Sequence, residues 1–422
     1  MNASTRLSLA ALLSALSLQE QAAARQGIPA PVRTVLTGGP LASRLVLSRD
    51  GRYMVMVSGK KTIGDEVYRF RTDGTGLERL DLGMTRDQFK RLVPRQANAV
   101  ATSADGSKII FRERKWFCDI LGCRYRNAGI WFLDLGKAKP LPVQVAPDSS
   151  SVAPHLSDDG KKVVYWTFGG AYIVNADGTG RFRISASMGV SGIDATASRV
   201  VGGFSFKDQD VAVINTDGTG FRNLTKTPGF VEGAASITPD GKKVAFGRIH
   251  GTQWGKQTTE IMIVNSDGTG LRSLAKVLGA ASLSAISAGG TRIVMQTLGP
   301  TAETSGVFLV DVGKKAVLKL VPPAFPFING NGQRLLSATL RAGTPVVLDF
   351  ALPDLKALGT EQIGKTEVLQ VAAKSGQGFV LGLSDRKVAI PLPPFGTLGL
   401  DPGSLWILAV GVMGKGRTAQ LP

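Results

Sequence analysis

A chain of 422 residues with 43% hydrophobic residues can bury a large core, which excludes a wholly disordered protein. Lys and Arg outnumber Asp and Glu by 50 to 32, and the net charge of +18 favours anionic partners without selecting nucleic acid, polysaccharide or membrane surfaces. No stretch of consecutive basic residues is long enough to form a dedicated nucleic-acid motif.

The first 24 residues have the order of a secretory signal peptide. A basic residue, Arg6, precedes an apolar stretch over Leu7–Leu18, and the small residues Ala22–Ala24 suit cleavage. The stretch is too short to span a bilayer, and no later segment reaches that length. An amphipathic N-terminal helix is the alternative, because polar residues interrupt the apolar run. We expect residues 1–24 to be a signal peptide and the mature protein to be secreted or periplasmic, without a transmembrane segment.

Two short signatures alternate along the rest of the chain. An [ST]xDG sequence occurs as SRDG, SADG, SDDG and TPDG, and xDGTG sequences occur between and after these. The residues that follow the first signature are mostly β-branched, aromatic or apolar, as in KKVVYW and KKVAFG, without a helical period. Each unit therefore predicts four short strands, with the first signature in the first turn and DGTG in the third turn. Such repeats predict an all-β fold, a single β-propeller of four-stranded blades, with seven blades favoured and six or eight as alternatives.

The pair TPDGKKVAFGR and EIMIVNSDGTGLRSL resembles the WD-repeat-like unit of TolB-type β-propellers. The resemblance implies a propeller over residues 31–364. Near the start, VRTVLTGGPLASRLVLSRDG parallels FRNLTKTPGFVEGAASITPDG in the fifth unit, so we expect residues 32–36 to form an outer strand of the last blade and close the ring. TolB-type proteins carry an α/β domain before the propeller, and this chain has only a short segment there, so the resemblance is to the propeller and not to TolB itself. Residues 365–422 are predicted to form a small C-terminal β module, with an extra blade as the alternative.

The DGTG signature has three interpretations: a calcium site, a phosphate site or a simple turn. An EF-type calcium loop needs a glutamate at its last ligand position, where these loops have Ala186, Lys226 and Lys276. A phosphate loop needs a following helix and a Lys-Ser/Thr pair, which the sequence lacks. Asp can instead accept hydrogen bonds from the turn, and Gly tolerates positive φ. We therefore predict no metal, no cofactor, and structural turns at Asp73, Gly74, Asp177, Gly178, Asp217, Gly218, Asp267 and Gly268.

The two cysteines, Cys118 and Cys123, lie close together in the sequence CDILGC. Two thiolates without a nearby histidine provide only half of a zinc site. In an oxidising compartment we expect them to form a disulfide that rigidifies one loop.

Catalytic signatures are scarce. No GxSxG motif occurs, and the chain has only two histidines, His155 and His250. His155 is predicted on the first strand of a blade, where it either faces the central channel as a ligand-binding residue or is a partly exposed strand residue. No two carboxylates have a spacing that places them on one wall. We assign no catalytic residue and favour a non-enzymatic protein, with a carbohydrate-active hydrolase or lyase that uses channel carboxylates as the alternative.

The long variable loops are the more informative candidates. In a four-stranded blade the first and third turns lie on one rim of the ring, and the middle loop and the link between blades lie on the other. The second rim collects RERKWFCDILGCRYRN and RIHGTQWGKQTTE, in which basic and aromatic residues are interleaved. Such loops suit an anionic or protein partner. The alternative is that the Arg and Lys side chains only keep the long loops soluble while the aromatic side chains pack beneath them. The candidate ligand-binding residues are Arg112, Arg114, Lys115, Trp116, Arg124, Tyr125, Arg126, His155, Arg248 and Trp254. The sequence thus predicts a monomeric binding or scaffold protein for a protein or an anionic envelope polymer.

Overall fold

The computed structural model describes residues 32–35, most of 42–330, and strand segments from residue 334 onward. Within 42–330 the residues that remain undescribed are 59–65, 74, 120–121, 148–153, 205–208, 302–303 and 321–326. The predicted signal peptide, Gly74 and most of residues 350–422 lie outside the described residues.

Short strands separated by tight turns build the described part of the chain, and they group into seven four-stranded antiparallel sheets, the blades of a propeller. The first strand, β1 (Val32–Val35), belongs to the last blade. Blade 1 contains β2 (Ala42–Leu47), β3 (Tyr53–Ser58), β4 (Val67–Arg71) and β5 (Glu78–Arg79); the hairpin β6 (Met84–Arg86) and β7 (Leu92–Pro94) follows. Blade 2 contains β8 (Gln96–Thr102), β9 (Lys108–Asp119), β10 (Gly122–Asp134) and β11 (Val143–Ala146), and blade 3 contains β12 (His155–Leu156), β13 (Lys162–Thr167), β14 (Gly170–Asn175) and β15 (Phe182–Ser185).

The same unit continues to the end of the ring. Blade 4 contains β16 (Gly192–Ile193), β17 (Arg199–Phe204), β18 (Asp210–Asn215) and β19 (Arg222–Asn223), and blade 5 contains β20 (Val231–Ile237), β21 (Lys243–His250), β22 (Thr258–Asn265) and β23 (Arg272–Leu278). Blade 6 contains β24 (Ala280–Ile286), β25 (Arg292–Leu298), β26 (Gly306–Asp311) and β27 (Ala316–Leu320), and blade 7 contains β28 (Phe327–Ile328), β29 (Arg334–Ala338), β30 (Pro345–Asp349) and β1. The predicted all-β propeller of four-stranded blades is confirmed.

The first strand of each blade lies at the centre of the ring. Along each sheet the strands are neighbours in chain order, and first strands of adjacent blades contact one another: β2 with β8, β8 with β12, β16 with β20, β20 with β24, β24 with β28, and β28 with β2. These strands therefore surround the central axis, as the predicted channel requires.

The beginning of the chain completes the last blade. β1 pairs antiparallel with β30, from Val32 opposite Asp349 to Val35 opposite Val346. A ring closed in this way leaves no long unpaired edge between its first and last blades. The closing strand predicted at residues 32–36 is confirmed.

The core lies mainly between neighbouring blades. Val55 and Val57 of blade 1 pack with Ile109 and Phe111 of blade 2, and all four are fully buried. Burying one side chain of this size contributes about 1.5–3 kcal/mol. The β-branched runs after each first turn thus supply the apolar faces that hold adjacent blades together.

Six further short strands lie within residues 365–422 and pair in nested order. They are β31 (Leu369–Val371) with β36 (Ala419–Leu421), β32 (Gly378–Leu381) with β35 (Ala409–Val412), and β33 (Ile390–Leu392) with β34 (Gly396–Leu398). The segment is therefore also β-structured where it is described.

Candidate functional site

The first and third turns of a blade lie on the same rim, which we call the DG rim. Backbone hydrogen bonds join the two turns within a blade: Thr72 N to Arg52 O, Ala176 N to Lys161 O, and Ser266 N to Lys242 O. The opposite rim, which we call the loop rim, carries the middle loops and the links between blades. The two kinds of loop are therefore segregated, as the topology predicted.

The first turns are self-contained hydrogen-bonded units. In blade 2, Ser103 Oγ donates to Asp105 Oδ1 at 2.6 Å, and the Ser107 and Lys108 amides donate to Asp105 Oδ1 and Ser103 Oγ at 3.0 Å each. Burial alone would raise the pKa of Asp105, but the hydrogen bonds from Ser103 and Ser107 lower it below its ordinary value. The carboxylate is therefore engaged by its own turn.

The DGTG turns are engaged in the same way. Thr179 donates to Asp177 Oδ1 from its hydroxyl at 2.6 Å and from its amide at 2.9 Å, and these bonds lower the pKa of Asp177. Gly178 and Gly180 have φ of +87° and +64°, which only glycine adopts without strain. Asp217 and Asp267 repeat this pattern with Thr219 and Thr269. Within the described residues, no three His, Cys, Asp or Glu side chains lie together in a way that could hold a metal ion.

Backbone hydrogen bonds link the first turns of neighbouring blades, and the acceptor in each is the carbonyl of the second residue of a turn. These bonds run from Asp50 N to Ala104 O, Ala104 N to Asp158 O, Asp158 N to Ala195 O, Ala195 N to Pro239 O, Ala288 N to Gly330 O, and Gly330 N to Arg49 O. The step from blade 5 to blade 6 lacks such a bond because Pro239 has no N–H. The Lys243 ammonium donates to Gly289 O at 3.3 Å across this step, as the Lys108 ammonium does to Asp159 O at 2.6 Å from blade 2 to blade 3.

An ion pair spans the inner edge of the DG rim. Arg49 Nε of blade 1 lies 2.9 Å from Asp158 Oδ1 of blade 3, so the side chain passes blade 2 to reach its partner. Burial lowers the pKa of Arg49, and the carboxylates of Asp158 and Asp194 act against this shift. Burial raises the pKa of Asp158, which Arg49 partly offsets. Because the turns that carry these residues surround the axis, the Arg49 side chain lies across the DG-rim end of the channel.

The loop rim is dominated by an extension of blade 2. The pairing of β8 with β9 ends at Gln96 opposite Arg114, and β9 and β10 continue for five more pairs, from Lys115 opposite Arg126 to Asp119 opposite Gly122. We call this extension the ribbon (Lys115–Asp119 with Gly122–Arg126). Directly opposite residues of a ribbon share a face. Among the residues whose side chains are described, Lys115, Phe117 and Arg126 therefore share one face, and Cys118 lies on the other.

On the first face of the ribbon, the Arg126 guanidinium lies 4.0 Å from the centre of the Phe117 ring. On the second face, Cys118 and Cys123 are direct partners in the register. Directly opposite residues of antiparallel strands have Cα separations that a disulfide can bridge, so the disulfide stays a prediction with favourable backbone geometry.

A cleft of about 170 Å³ separates the hairpin β6–β7 from the base of the ribbon. The hairpin touches the ribbon through Gln88, whose Oε1 accepts a hydrogen bond from Cys118 N at 2.6 Å. The hairpin also exposes Met84, Phe89 and Leu92, each more than half accessible. The residues that line the cleft are Thr85, Asp87, Gln88, Phe89, Arg91, Val93, Pro94, Gln96, Arg114 and Lys115. The structure thus brings Arg114 and Lys115, both predicted site residues, to a cleft that the sequence did not reveal.

Arg248 does not belong to the exposed basic surface, and this corrects its predicted placement. Its Nε lies 2.7 Å from Glu232 Oε1, and the side chains are 13% and 0% exposed. Arg95 and Glu113 in blade 2 form a second pair of this kind at 3.0 Å, with 12% and 0% exposure. A buried carboxylate needs a charged partner, so Arg248 is required by Glu232 and is not available to a ligand.

The remaining candidates lie apart from the ribbon. Trp254 is 60% exposed on the loop after β21. His155 is enclosed by protein on most sides, and burial lowers its pKa to about 4, so it is neutral at neutral pH. Arg112 lies within the sheet of blade 2, where its Nε donates to Asn98 Oδ1 at 2.8 Å. The side chains of Trp116, Arg124 and Tyr125 lie outside the described part of the structure.

Comparison with known proteins shows the fold alone. No model of a known protein family matches the sequence, and no curated protein matches it. Among solved structures the chain is similar to an oligogalacturonate lyase from Vibrio parahaemolyticus, with 12% identity, 77% of this chain and 92% of that chain covered, and a TM-score of 0.53. It is similar to an oligogalacturonate lyase in complex with manganese, with 12% identity, coverage of 76% and 91%, and a TM-score of 0.52.

A putative TolB from Agrobacterium tumefaciens is a further similar structure, with 14% identity, coverage of 72% and 92%, and a TM-score of 0.43. The class that this architecture defines is the β-propeller, with four-stranded blades whose first and third turns carry the signatures of TolB-type repeats. The described residues contain no helix that is long and apolar enough to cross a membrane.

Proposed function

We propose that the protein is a secreted or periplasmic binding or scaffold protein without enzymatic activity, which binds a protein or an anionic polymer at its loop rim. The observation that carries the proposal is the ribbon, which extends beyond blade 2 and places basic residues on one of its faces. Because the ribbon extends beyond the pairing of β8 with β9, it is suited to contact with a partner.

The surroundings of the ribbon support the same function. The cleft beside it combines Arg91, Arg114 and Lys115 with the exposed ring of Phe89. Guanidinium and ammonium groups beside an aromatic face bind anionic groups by charge and flat apolar groups by stacking. The DG rim offers less, because the aspartates of its regular turns accept hydrogen bonds from their own turn residues.

The test is retention on an immobilised anionic polymer, heparin, by two variants of equal net charge. Lys115→Glu/Arg126→Glu changes the ribbon, and Lys137→Glu/Lys139→Glu changes two exposed lysines of the third turn of blade 2 on the DG rim. We expect the ribbon variant to elute at clearly lower salt, because it loses ion pairs at the contact, while the DG-rim variant elutes with the unmodified protein. Equal shifts for both variants would mean that retention reports only total charge, and the proposal would fail.

The alternative function, a carbohydrate-active hydrolase or lyase, has its support in the two oligogalacturonate lyases that share the fold. Two described carboxylates on first turns of the DG rim are Asp158, paired with Arg49, and Asp194, whose oxygens accept hydrogen bonds from the Ser198 amide and hydroxyl. Incubation of the purified protein with polygalacturonate distinguishes the two functions. Release of unsaturated or reducing ends that Asp158→Asn abolishes would establish the enzyme and overturn the non-enzymatic proposal.

A further inference from the structure

The hairpin β6–β7, which links blades 1 and 2, exposes apolar side chains that comparable links bury. Met84, Phe89 and Leu92 are each more than half exposed. In the link between blades 3 and 4 Met188 is fully buried, and in the link between blades 4 and 5 Leu224 is buried. Joining two blades therefore does not require exposed apolar side chains, and the other links act as an internal comparison.

One face of the hairpin is exposed along its whole length. The strands pair in the register Met84–Pro94, Thr85–Val93 and Arg86–Leu92. Directly opposite residues share a face, and the faces alternate along the strands. Thr85 and Val93 form the face that lines the cleft toward the ribbon. The opposite face, which we call the outer face, consists of the exposed residues Met84, Arg86, Leu92 and Pro94.

The tip of the hairpin is fixed by hydrogen bonds and carries an aromatic ring beside a cation. Asp87 Oδ1 accepts hydrogen bonds from the amides of Phe89 and Arg91 at 2.9 Å each. Arg91 Nη2 lies 2.7 Å from Asp87 Oδ2, so the turn itself offsets the charge of this carboxylate. The Arg91 guanidinium also lies 5.1 Å from the centre of the Phe89 ring.

Two further cations flank the apolar residues. Arg86 and Lys90 are exposed, and Arg86 Nη1 donates to the Lys90 carbonyl at 2.8 Å, which holds this guanidinium near the tip. Asp87 is the only acidic residue between positions 84 and 94, against Arg86, Lys90 and Arg91, so this segment has a net charge of +2. The outer face and the tip are therefore both apolar and cationic.

Side chains that project from the end of a hairpin need a partner that accepts them without a pocket shaped for each one. The interface of a lipid bilayer does so. Apolar side chains enter the boundary between headgroups and acyl chains, while Arg and Lys extend to the level of the headgroups. Anionic headgroups also attract each basic residue near the surface. The apolar and basic side chains that adjoin on the outer face fit these two layers.

We propose that the outer face and the tip of the hairpin β6–β7 dock on a membrane surface that contains anionic phospholipids. Met84, Phe89 and Leu92 enter the interface, and Arg86 and Lys90 contact lipid phosphates. The proposal goes beyond the function proposed above, because it uses a different surface from the ribbon and a different class of partner.

The probe is vesicles of phosphatidylglycerol and phosphatidylcholine in equal amounts, with pure phosphatidylcholine vesicles for comparison. Cosedimentation of the full chain at low ionic strength measures binding, and we expect binding to the mixed vesicles alone. Phe89→Ser/Leu92→Ser should weaken it by about tenfold or more, because two apolar side chains no longer enter the interface. Leu77→Ser/Phe182→Ser is the matched control on the DG rim, where both residues are nearly half exposed, and should bind like the unmodified protein.

A second pair of variants tests the charge. Arg86→Gln/Lys90→Gln should weaken binding to the mixed vesicles by about thirtyfold, since each basic residue near an anionic surface contributes about fivefold. Lys137→Gln/Lys139→Gln removes the same charge from the DG rim and should have a much smaller effect. All of these side chains are exposed, so the variants should unfold at the same temperature as the unmodified protein, which circular dichroism measures.

Absence of binding to the mixed vesicles would overturn the proposal in favour of a protein partner for the same face. Equal binding by Phe89→Ser/Leu92→Ser and the unmodified protein would also overturn it, because the net charge of +18 alone would then explain the attraction.

Heparin retention separates membrane docking from the function proposed above. If Lys115→Glu/Arg126→Glu elutes from heparin at lower salt while the unmodified protein binds no vesicles, the binding rim stands and membrane docking fails. If vesicles bind as expected and the ribbon variant keeps its heparin retention, membrane docking stands and the function proposed for the ribbon fails.

Discussion

The two rims of the propeller are built from the same strands but differ in what holds them. On the DG rim the same turn recurs from blade to blade, and backbone hydrogen bonds run from one turn to the next. On the loop rim each connection differs, and stability comes from single buried ion pairs such as Arg95–Glu113 and Arg248–Glu232. The difference teaches that the repeated turns connect the blades around the ring, whereas the departures from the repeat include buried ion pairs that stabilise single blades.

The largest expected effect is the loss of the buried ion pair between Glu113 and Arg95 on the loop rim. Glu113→Ala leaves Arg95 charged and buried, so we expect a loss of about 3–5 kcal/mol in the free energy of unfolding. Urea denaturation measures it, with Glu78→Ala as the control, because Glu78 is 52% exposed in its pair with Arg69. The control should lose less than about 1 kcal/mol. Similar losses in both variants would show that burial does not distinguish the two ion pairs.

The next effect concerns the ion pair between Arg49 and Asp158 on the DG rim. Arg49→Ala should cost about 1–3 kcal/mol, since Asp158 then keeps a partly buried charge without its partner. The control is Arg52→Ala, whose side chain is 80% exposed. Asp158 already has a raised pKa, so its ionised form is disfavoured in the folded protein and its protonation on acidification relieves the penalty. The deficit of Arg49→Ala should therefore shrink as the pH falls toward the carboxylate range; a deficit that grows on acidification would contradict this origin.

An effect no larger than this is expected at the cysteines of the ribbon. In the unreduced, denatured protein we expect no free thiol, measured by thiol titration, although the chain contains two cysteines. Cys118→Ser/Cys123→Ser should lower the free energy of unfolding by about 2 kcal/mol, the lower end of the usual range for a disulfide, because the bridge closes a very short loop at the end of a hairpin. The variant should also elute from heparin at lower salt, because the two strands of the ribbon lose the bridge that joins them. Two titratable thiols in protein kept from reductant would contradict the disulfide.

The smallest expected effect concerns the hydrogen bond from Thr179 to Asp177 in a DGTG turn. Thr179→Val removes the hydroxyl that donates to Asp177 Oδ1 and should raise the pKa of Asp177 toward its ordinary value. A carbon-detected NMR titration of the side-chain carboxylate measures this shift. Heparin retention should stay unchanged, because the turn lies on the opposite rim from the ribbon. A loss of retention would place the DG rim in the binding surface.

The fold was predictable because turn chemistry repeats. Asp105 and Asp177 need Gly after them and a hydroxyl nearby, and this requirement appears in the sequence as SADG and ADGTG. The strands follow from the apolar runs between the turns. The closing strand β1 could be predicted because the residues around it parallel the end of another unit.

The candidate site was predictable only in part. The ribbon was found because its loop is long and basic, but the pairing of Arg248 with Glu232 joins two strands and leaves no local pattern. Arg49 and Asp158 occupy the variable position of their [ST]xDG turns, and the opposite charges at these equivalent positions are the signal in the sequence from which their pairing could be predicted. The cleft beside β6–β7 depends on how this link between blades 1 and 2 folds against the ribbon. The repeat pattern of the sequence does not predict that packing.

The order of synthesis affects when the closing strand β1 can pair. β1 is synthesised before the other described strands, whereas its partner β30 is among the last parts of the propeller to be made. Until then β1 has no strand to pair with, and the pairing that closes the ring joins residues that are far apart in the sequence. Since distant contacts form slowly, blades 1 to 6 can assemble in order of synthesis while the seventh waits for both ends of the chain. We therefore expect the blades to form progressively and the pairing of β1 with β30 to close the ring last.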